Sequence, residues 1–517
     1  MTTTSEVLHS LRFGHSVAER DSVLKSAFVQ TADFKALQSG QYDLITGVKG
    51  SGKSALMIML IEEGAFDTEI IIAPAQNVNG ESVYGGDLPE DRQLLTSDEY
   101  FRERWMIHAY SVAAAHLLRV MPDDLRLNDL RIAVMGIGLD PEKDKPKDLW
   151  RKVSQWNLTG TAFTPLPKPE TGATISKGAP LDGDSLRDLL FNALEQTERE
   201  IWVAYDRLDD VLAFDPERER AMLRGLLAAM VSLASSSPRF HVKAFMRHDL
   251  FDRVTEERPV RNVDQLARLR LRWNTPAVMR LIAARVVRSP HAAEAFDVEA
   301  DQDPSLLSKE DVDKIWLALL WKRTHLGSDE HPDRHFVGFL QGLADGSGQF
   351  NPRVLLAFFS LMARLQAASD EESDRQLPAS RPLIQDSAAQ KALVDVSDAR
   401  LNQYIYAEFQ HLKPYVRSLV EKPNAFRSKG ELLQALGLRD EPRSTEIIRE
   451  LVGCGLLATG EKSFAYSIAK LYKPALRSQK PRSSSAFVTV DSPRPSAAVH
   501  ITPRDLRNLM RHSRDGN

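Results

Sequence analysis

One segment constrains this chain more than any other: Gly47-Val48-Lys49-Gly50-Ser51-Gly52-Lys53-Ser54, met directly after the apolar run Tyr42–Thr46. Each fixed position of this G-x-x-x-x-G-K-S pattern has a mechanical reason. The glycines let the backbone turn its N–H groups inward, in conformations that a Cβ obstructs. A helix beginning near Lys53 adds the positive end of its dipole. Lys53 then reaches the β- and γ-phosphates of a nucleotide, and the Ser54 hydroxyl takes a place on Mg²⁺. All eight residues from Gly47 to Ser54 are expected at the phosphates. ATP is the default nucleotide, because the sequence holds no N-K-x-D or T-K-x-D guanine-reading segment.

The surrounding pattern fits that loop. Strand signals at Tyr42–Thr46, Glu69–Pro74, Ile201–Tyr205, His241–Met246 and Leu266–Trp273 alternate with helical patterns at Ser54–Glu63, Ser97–Val120, Ser185–Thr197, Glu217–Ala234 and Thr275–Val287. Runs such as Ile70-Ile71-Ile72 suit parallel strands covered on both faces. The fold class expected is α/β: a doubly wound parallel-sheet nucleotide-binding core, followed by a helical lid and a winged-helix domain.

The domain plan has five parts. Residues 1–40 form an N-terminal helical segment, with Val23, Leu24, Ala27, Phe28, Phe34 and Leu37 as candidate core. Residues 41–290 form the phosphate-loop domain, carrying a poorly legible insert at about 121–183 whose Thr/Gly/Pro-rich half, 158–183, reads as a mobile loop. Residues 291–400 are the helical lid. Residues 401–476 are winged-helix-like, with helices at 401–421, 428–436 and 444–455 and a hairpin around Gly460. From Arg477 the chain turns to Ser, Pro and Arg with eight basic against three acidic residues, the composition of a disordered tail.

Composition removes several function classes. The net charge is −4 over 517 residues, so nucleic-acid binding has no global electrostatic case and requires a local patch. Cys454 is the one cysteine, which excludes an intrachain disulfide and a cysteine-rich metal site. Residues 1–20 carry charged and histidine side chains rather than the apolar core of a secretory signal, and apolar runs are far shorter than a bilayer requires. A cytoplasmic protein without membrane contact is expected. His331 and His335 are the nearest approach to metal-ligand spacing, weakened by the intervening Pro332.

The second half of the site should be an acidic residue ending another apolar strand. Ile201-Trp202-Val203-Ala204-Tyr205-Asp206 fits, with Asp206 as the Mg²⁺ partner. Many ATPases follow that aspartate with a glutamate that activates water, but here Arg207 follows. Asp209 or Asp210 can polarise the water instead; both also suit the cap of the next helix. Arg247, ending the next strand, either senses the γ-phosphate or pairs with Asp249 or Asp252. Arg353, in Asn351-Pro352-Arg353, is either a lid arginine closing on the phosphates or a solvated residue at a Pro-started helix. Arg253, Arg258 and Arg261 offer an arginine finger acting in trans on a homo-oligomer, or a solvated face. The recognition-helix candidate Ser444–Val452 is poor in basic residues for a DNA reader, so partner-binding and DNA-binding through 423–468 and the tail both stay open.

Taken together, the loop Gly47–Ser54, the strand end Tyr205-Asp206-Arg207-Leu208-Asp209-Asp210 and Arg247 resemble the STAND and KAP-like (AAA+-related) bacterial P-loop ATPases. Phe13-Gly14…Ala18-Glu19…Asp21 and Phe28-Val29-Gln30-Thr31, leading into the loop, are similar to an uncharacterised bacterial family of such ATPases. The resemblance implies an ATP- and Mg²⁺-dependent core with a helical lid and a winged helix, used as a nucleotide switch with a partner protein, in some cases in antiphage defence. The membrane helices of KAP proteins and the effector or repeat array of STAND proteins have no counterpart in the sequence. The competing expectations are a DNA-associated ATPase of initiator or helicase-loader type and a module that holds ATP structurally.

Overall fold

The computed structural model describes residues 4–64, 69–75, 96–159, 162–165, 183–208, 215–301, 303–320, 338–373, 383–420, 422–460 and 464–477. Asp209, Asp210, His331, His335 and the tail beyond Arg477 lie outside the described residues.

Ten strands are described: β1 (Leu44–Gly47), β2 (Ile70–Pro74), β3 (Trp156–Thr159), β4 (Ala162–Pro165), β5 (Glu200–Tyr205), β6 (Phe240–Arg247), β7 (Arg268–Arg270), β8 (Ala425–Phe426), β9 (Leu457–Thr459) and β10 (Tyr466–Ile468). The central sheet has the order β2-β5-β6-β1-β7 and every pairing in it is parallel. Strand side chains alternate between its faces. Leu44, Ile71, Ile201, Val203 and Tyr205 enter a core under the helices Asp98–Val120, Gly183–Thr197 and Pro216–Ala234. Ile45, Ile72, Trp202 and Ala204 enter the opposite core with Phe34, Leu37, Leu56, Met57 and Leu60. This two-sided burial is why the strands read as unbroken apolar runs, and it makes the core α/β and doubly wound.

The helices Asp98–Val120 and Pro216–Ala234 pass close to each other at Gly225. A Cβ there would stand 2.5 Å from Phe101 Cβ and 2.9 Å from the Arg102 nitrogen and the Asp98 oxygen. Alanine is intrinsically the better helix former by about 1 kcal/mol, but backbone atoms cannot yield to the added methyl. Gly225→Ala is therefore expected to destabilise the chain by about 1–3 kcal/mol, read as a lower denaturation midpoint.

A third core joins the N-terminal helix Thr4–Ser10, the helices Thr275–Val286 and Lys309–Leu319, the long helix Pro352–Ser373 and the C-terminal module. That module packs the helices Lys429–Leu436 and Pro442–Gly453 on an antiparallel sheet of order β8-β10-β9, the build of a winged helix. Ser428 caps the first helix by accepting from the Glu431 N–H, and Gly437, at φ 70°, ends it. Cys454 is core: it is 4% exposed and burial pushes its thiol up to about 12.

Some elements differ from the sequence reading. Among the described residues of the first 40, helices occur only at Thr4–Ser10 and Ala32–Gln38, with a short 3-10 turn at Ala18–Arg20, and the rest is irregular. Between Leu11 and Thr31 the chain is a strap of short turns, including Ala18–Arg20, with buried residues Leu24, Ala27 and Val29. The expected strand Leu266–Trp273 is short: Arg268–Arg270 pair in register with β1, flanked by backbone hydrogen bonds at Ala267 and Leu271, and Trp273 turns its indole N–H to the Ser51 carbonyl at 2.8 Å. Trp156–Thr159 and Ala162–Pro165, which overlap the segment 158–183 read as a loop, form an antiparallel pair. The helix expected at 401–421 is not one unit. Asp386–Arg400 continues through a π-helical turn, Leu401–Ile405, to Glu408, and breaks at Phe409, where φ is −123° and ψ is 57°. Among the described residues no helix is long and apolar enough to cross a membrane.

Candidate nucleotide site

The site lies at the carboxyl ends of the parallel strands, the crevice where α/β sheets place ligands. β1 delivers the chain into the loop, and its register against β6 sets Gly47 beside Arg247. The loop turns on two left-handed glycines, Gly50 at φ 88° and Gly52 at φ 99°. A Cβ at Gly50 would lie 2.6 Å from the Asn351 side-chain oxygen, so position 50 is restricted by both conformation and space. Lys53 opens the helix Lys53–Gly64 and folds back, donating to the Gly47 carbonyl at 3.0 Å and the Val48 carbonyl at 3.2 Å. This is a cradle with an ammonium at its mouth, a fit for a polyphosphate.

A cavity of about 360 Å³ opens from the loop. Its lining includes Lys53, Ser54, Asp206 and Arg207 as well as an apolar part with Val17, Phe28, Val29, Ala277, Leu281 and Leu356. The strap contributes much of the apolar lining, so the irregular N-terminal segment is a wall of the site. A flat heteroaromatic base suits those surfaces, as the phosphates suit the loop.

A buried ion pair fixes the strap. Arg285 and Asp21 have side chains only 2% exposed, and Arg285 Nη2 donates to Asp21 Oδ2 at 2.7 Å. Arg285 Nη1 also donates to the Phe13 carbonyl at 2.8 Å, and Asp21 Oδ1 accepts from the His15 and Val23 N–H groups, each at 3.2 Å. Gly14, at φ 83°, passes so close that a Cβ would lie 2.1 Å from Arg285 Nη1.

The second half of the chain grips the loop. Asn351 donates its side-chain N–H to the Lys49 carbonyl at 2.7 Å, and the Arg353 N–H donates to the Gly50 carbonyl at 3.4 Å. Arg353 Nε donates to the Ser16 carbonyl at 3.1 Å, so this side chain lines the cavity and touches the strap. Glu408, at the end of the broken helix, accepts from both Lys49 and Arg247. Arg247 also pairs with Asp249 at 2.7 Å. Burial works to lower the Arg247 pKa, but the carboxylates of Asp249 and Glu408 overcome it and hold the guanidinium above its ordinary value. Burial likewise works to raise Glu408, and Arg247 with Lys49 reverses it, keeping the carboxyl below its usual range.

Asp206 is 2% exposed at the end of β5. Behind it, His108 Nε2 lies 3.2 Å from the Pro146 carbonyl, which can only accept, so this nitrogen carries the proton. Nδ1 then accepts from the Tyr205 hydroxyl at 3.0 Å. Burial lowers His108 to about 4 and keeps the ring neutral.

The structure thus brings together Gly47–Ser54, Asp206, Arg247 and Arg353. Of the trans-acting candidates, Arg253, Arg258 and Arg261 are exposed, and Arg258 stands 3.5 Å from Asp98. Arg268 and Arg270 are exposed on either side of buried Leu269, the alternation expected of a half-solvated strand. Glu408, Asn351 and the Asp21–Arg285 pair were not singled out as site residues from the sequence. Asp21 carried a signal, in the Phe13-Gly14…Asp21 spacing; Glu408 sits in ordinary helical sequence and carried none.

No family model matches the chain. Among curated proteins it is similar to the putative transposon gamma-delta 80.3 kDa protein of Escherichia coli K12, 23% identical over 307 residues. That match covers 56% of this chain and spans about two fifths, 41%, of the relative. Among solved structures it is similar to the ORC2 protein of Aeropyrum pernix, with 11% identity, a TM-score of 0.42, and coverage of 87% of this chain and 91% of the other. A Walker-type ATPase of Pyrococcus abyssi gives 11% identity and a TM-score of 0.41, covering 91% of this chain and 99% of the other. The Aeropyrum pernix ORC1 protein in complex with DNA gives 12% identity and a TM-score of 0.34, covering 89% and 96%.

Proposed function

We propose that this protein binds ATP with Mg²⁺ and hydrolyses it as a molecular switch, in which nucleotide state is passed from the phosphate loop to the C-terminal module. Gly47–Ser54 hold the phosphates, Ser54 and Asp206 hold the metal, and the apolar cavity wall takes the base. The observation that carries the reading is the double hold of Glu408 on Lys49 and Arg247. A carboxylate from the far half of the chain occupies two cations beside the phosphate cradle, where an incoming polyphosphate competes for them.

That competition has a measurable sign. Glu408→Gln removes one negative charge and is expected to tighten ATP binding by about 3- to 10-fold, or about 0.7–1.4 kcal/mol. Unchanged affinity by titration with a fluorescent ATP analogue would mean that Glu408 merely packs against the loop.

The output is a partner protein in this reading, as in the STAND-like switches that the motifs resemble, antiphage defence included. Homo-oligomerisation through Arg253, Arg258 or Arg261 belongs to the same proposal. A second reading, a DNA-associated ATPase, is supported by Arg443 and Arg449 on the exposed face of Pro442–Gly453 and by similarity to a protein whose name places it in a transposon. Against it stand Glu446 on the same face and Glu450, which pairs with His411. ATP binding and turnover by the purified chain, with and without duplex DNA at two salt concentrations, separate the two. Turnover raised several-fold by DNA and lost with salt favours the second reading. Turnover indifferent to DNA favours the partner-coupled switch, and failure to bind ATP sinks both.

A further inference from the structure

The position after Asp206 is held by Arg207, so the carboxylate that commonly stands there is missing from the strand. The fold brings one back from elsewhere. Glu19, in the 3-10 turn of the strap, places Oε1 2.6 Å from Arg207 Nη2. Arg207 is left-handed at φ 57°, a conformation rare outside glycine that is kept where the surroundings over-determine it. Both side chains are partly shielded, at 26% and 21% exposure, and both line the cavity with Lys53, Ser54 and Asp206. Among the described carboxylates lining that cavity, Asp21 is committed to Arg285 and Asp206 belongs to the proposed metal site. Asp33 stands in the first turn of the helix Ala32–Gln38 and burial raises its pKa. Glu19 alone of these is joined to the residue that follows Asp206.

We propose that Glu19 is the water-activating carboxylate of this site, standing in for the one that Arg207 displaces, with Arg207 as its positioning residue. The proposal rests on the ATP-hydrolysing reading above. Glu19 accepts a proton from the attacking water as the water oxygen bonds to the γ-phosphorus. The bond from that phosphorus to the β–γ bridging oxygen breaks, its electron pair leaving on ADP, and inorganic phosphate forms. The proton then passes from Glu19 to solvent. Arg207 acts through Glu19, holding its carboxylate toward the cavity that both residues line.

The test uses the full chain with Mg²⁺ and ATP, reading affinity and single-turnover rate separately. Glu19→Gln keeps an amide oxygen for Arg207 and removes the proton acceptor. It is expected to slow hydrolysis by about 10²-fold or more, the usual contribution of a general base, with ATP affinity within about 3-fold of the parent. After rapid desalting the variant should carry unhydrolysed ATP where the parent carries ADP, and Glu19→Asp should recover part of the rate. Hydrolysis at the parental rate in Glu19→Gln overturns the proposal. So does loss of affinity together with rate, which assigns Glu19 to holding the strap. Trapped ATP in Asp209→Asn or Asp210→Asn but not in Glu19→Gln also overturns it. A parent chain that binds ATP without turnover removes Glu19's role and leaves nucleotide binding standing; a parent that binds no ATP removes the reading on which the proposal rests.

Discussion

Lys53→Ala is expected to weaken ATP binding by about 100-fold and to abolish turnover while leaving the thermal melt where it was. Hydrogen bonds from an ammonium to phosphate oxygens contribute about 1.5–3 kcal/mol, and each 1.4 kcal/mol is a factor of ten in affinity. The fold has little to lose. Lys53 is half-buried at the head of its helix, where its ammonium donates to the Gly47 and Val48 carbonyls of the loop. Alanine is a good helix former there. Isothermal titration and a melting curve on the same preparation check both halves of the expectation. ATP binding within a few-fold of the parent would show that the loop does not use Lys53 on phosphate. A melt that collapses together with affinity would show that Lys53 scaffolds the loop instead.

Arg285→Met should produce the largest loss of stability, about 3–5 kcal/mol, because it leaves the Asp21 carboxylate buried without its cation. The pair is almost wholly buried, and Asp21 also gathers the N–H groups of His15 and Val23, so the strap from Phe13 to Val23 is organised around one carboxylate. Losing that order removes one wall of the cavity, and ATP affinity should fall with stability. The double variant Arg285→Met/Asp21→Leu should recover much of the stability, since an apolar pair of similar volume can replace a buried ion pair. Denaturant unfolding of the two variants provides the comparison. A cost below about 1 kcal/mol for Arg285→Met would mean that solvent reaches the pair readily.

What the sequence made legible follows the physics of short-range order. Strands buried on both faces advertise themselves as unbroken apolar runs, and the glycine loop shows which peptides must turn left-handed. The helical patterns Ser97–Val120 and Thr275–Val287 match the helices Asp98–Val120 and Thr275–Val286 to within a residue at each end. The strap was misread because Leu24 and Ala27 enter different cores, and a spacing compatible with a helix says nothing about that. The break at Phe409 was only partly legible: Pro414 at the start of Lys413–Ser418 forbids one helix through 401–421, but neither proline nor glycine stands at Phe409 itself. Long-range partners were hardest. Glu408 reaches a lysine 359 residues away, and neither residue announces the other.

The carboxylate shared by Lys49 and Arg247 has a thermodynamic corollary for the C-terminal module. If ATP and Glu408 compete for these cations, any ligand of the C-terminal module that draws Glu408 away strengthens ATP binding, and ATP strengthens that ligand's binding by the same factor. An unknown partner can therefore be sought through the nucleotide: it is the molecule whose addition moves the ATP dissociation constant of the parent chain and leaves that of Glu408→Gln in place.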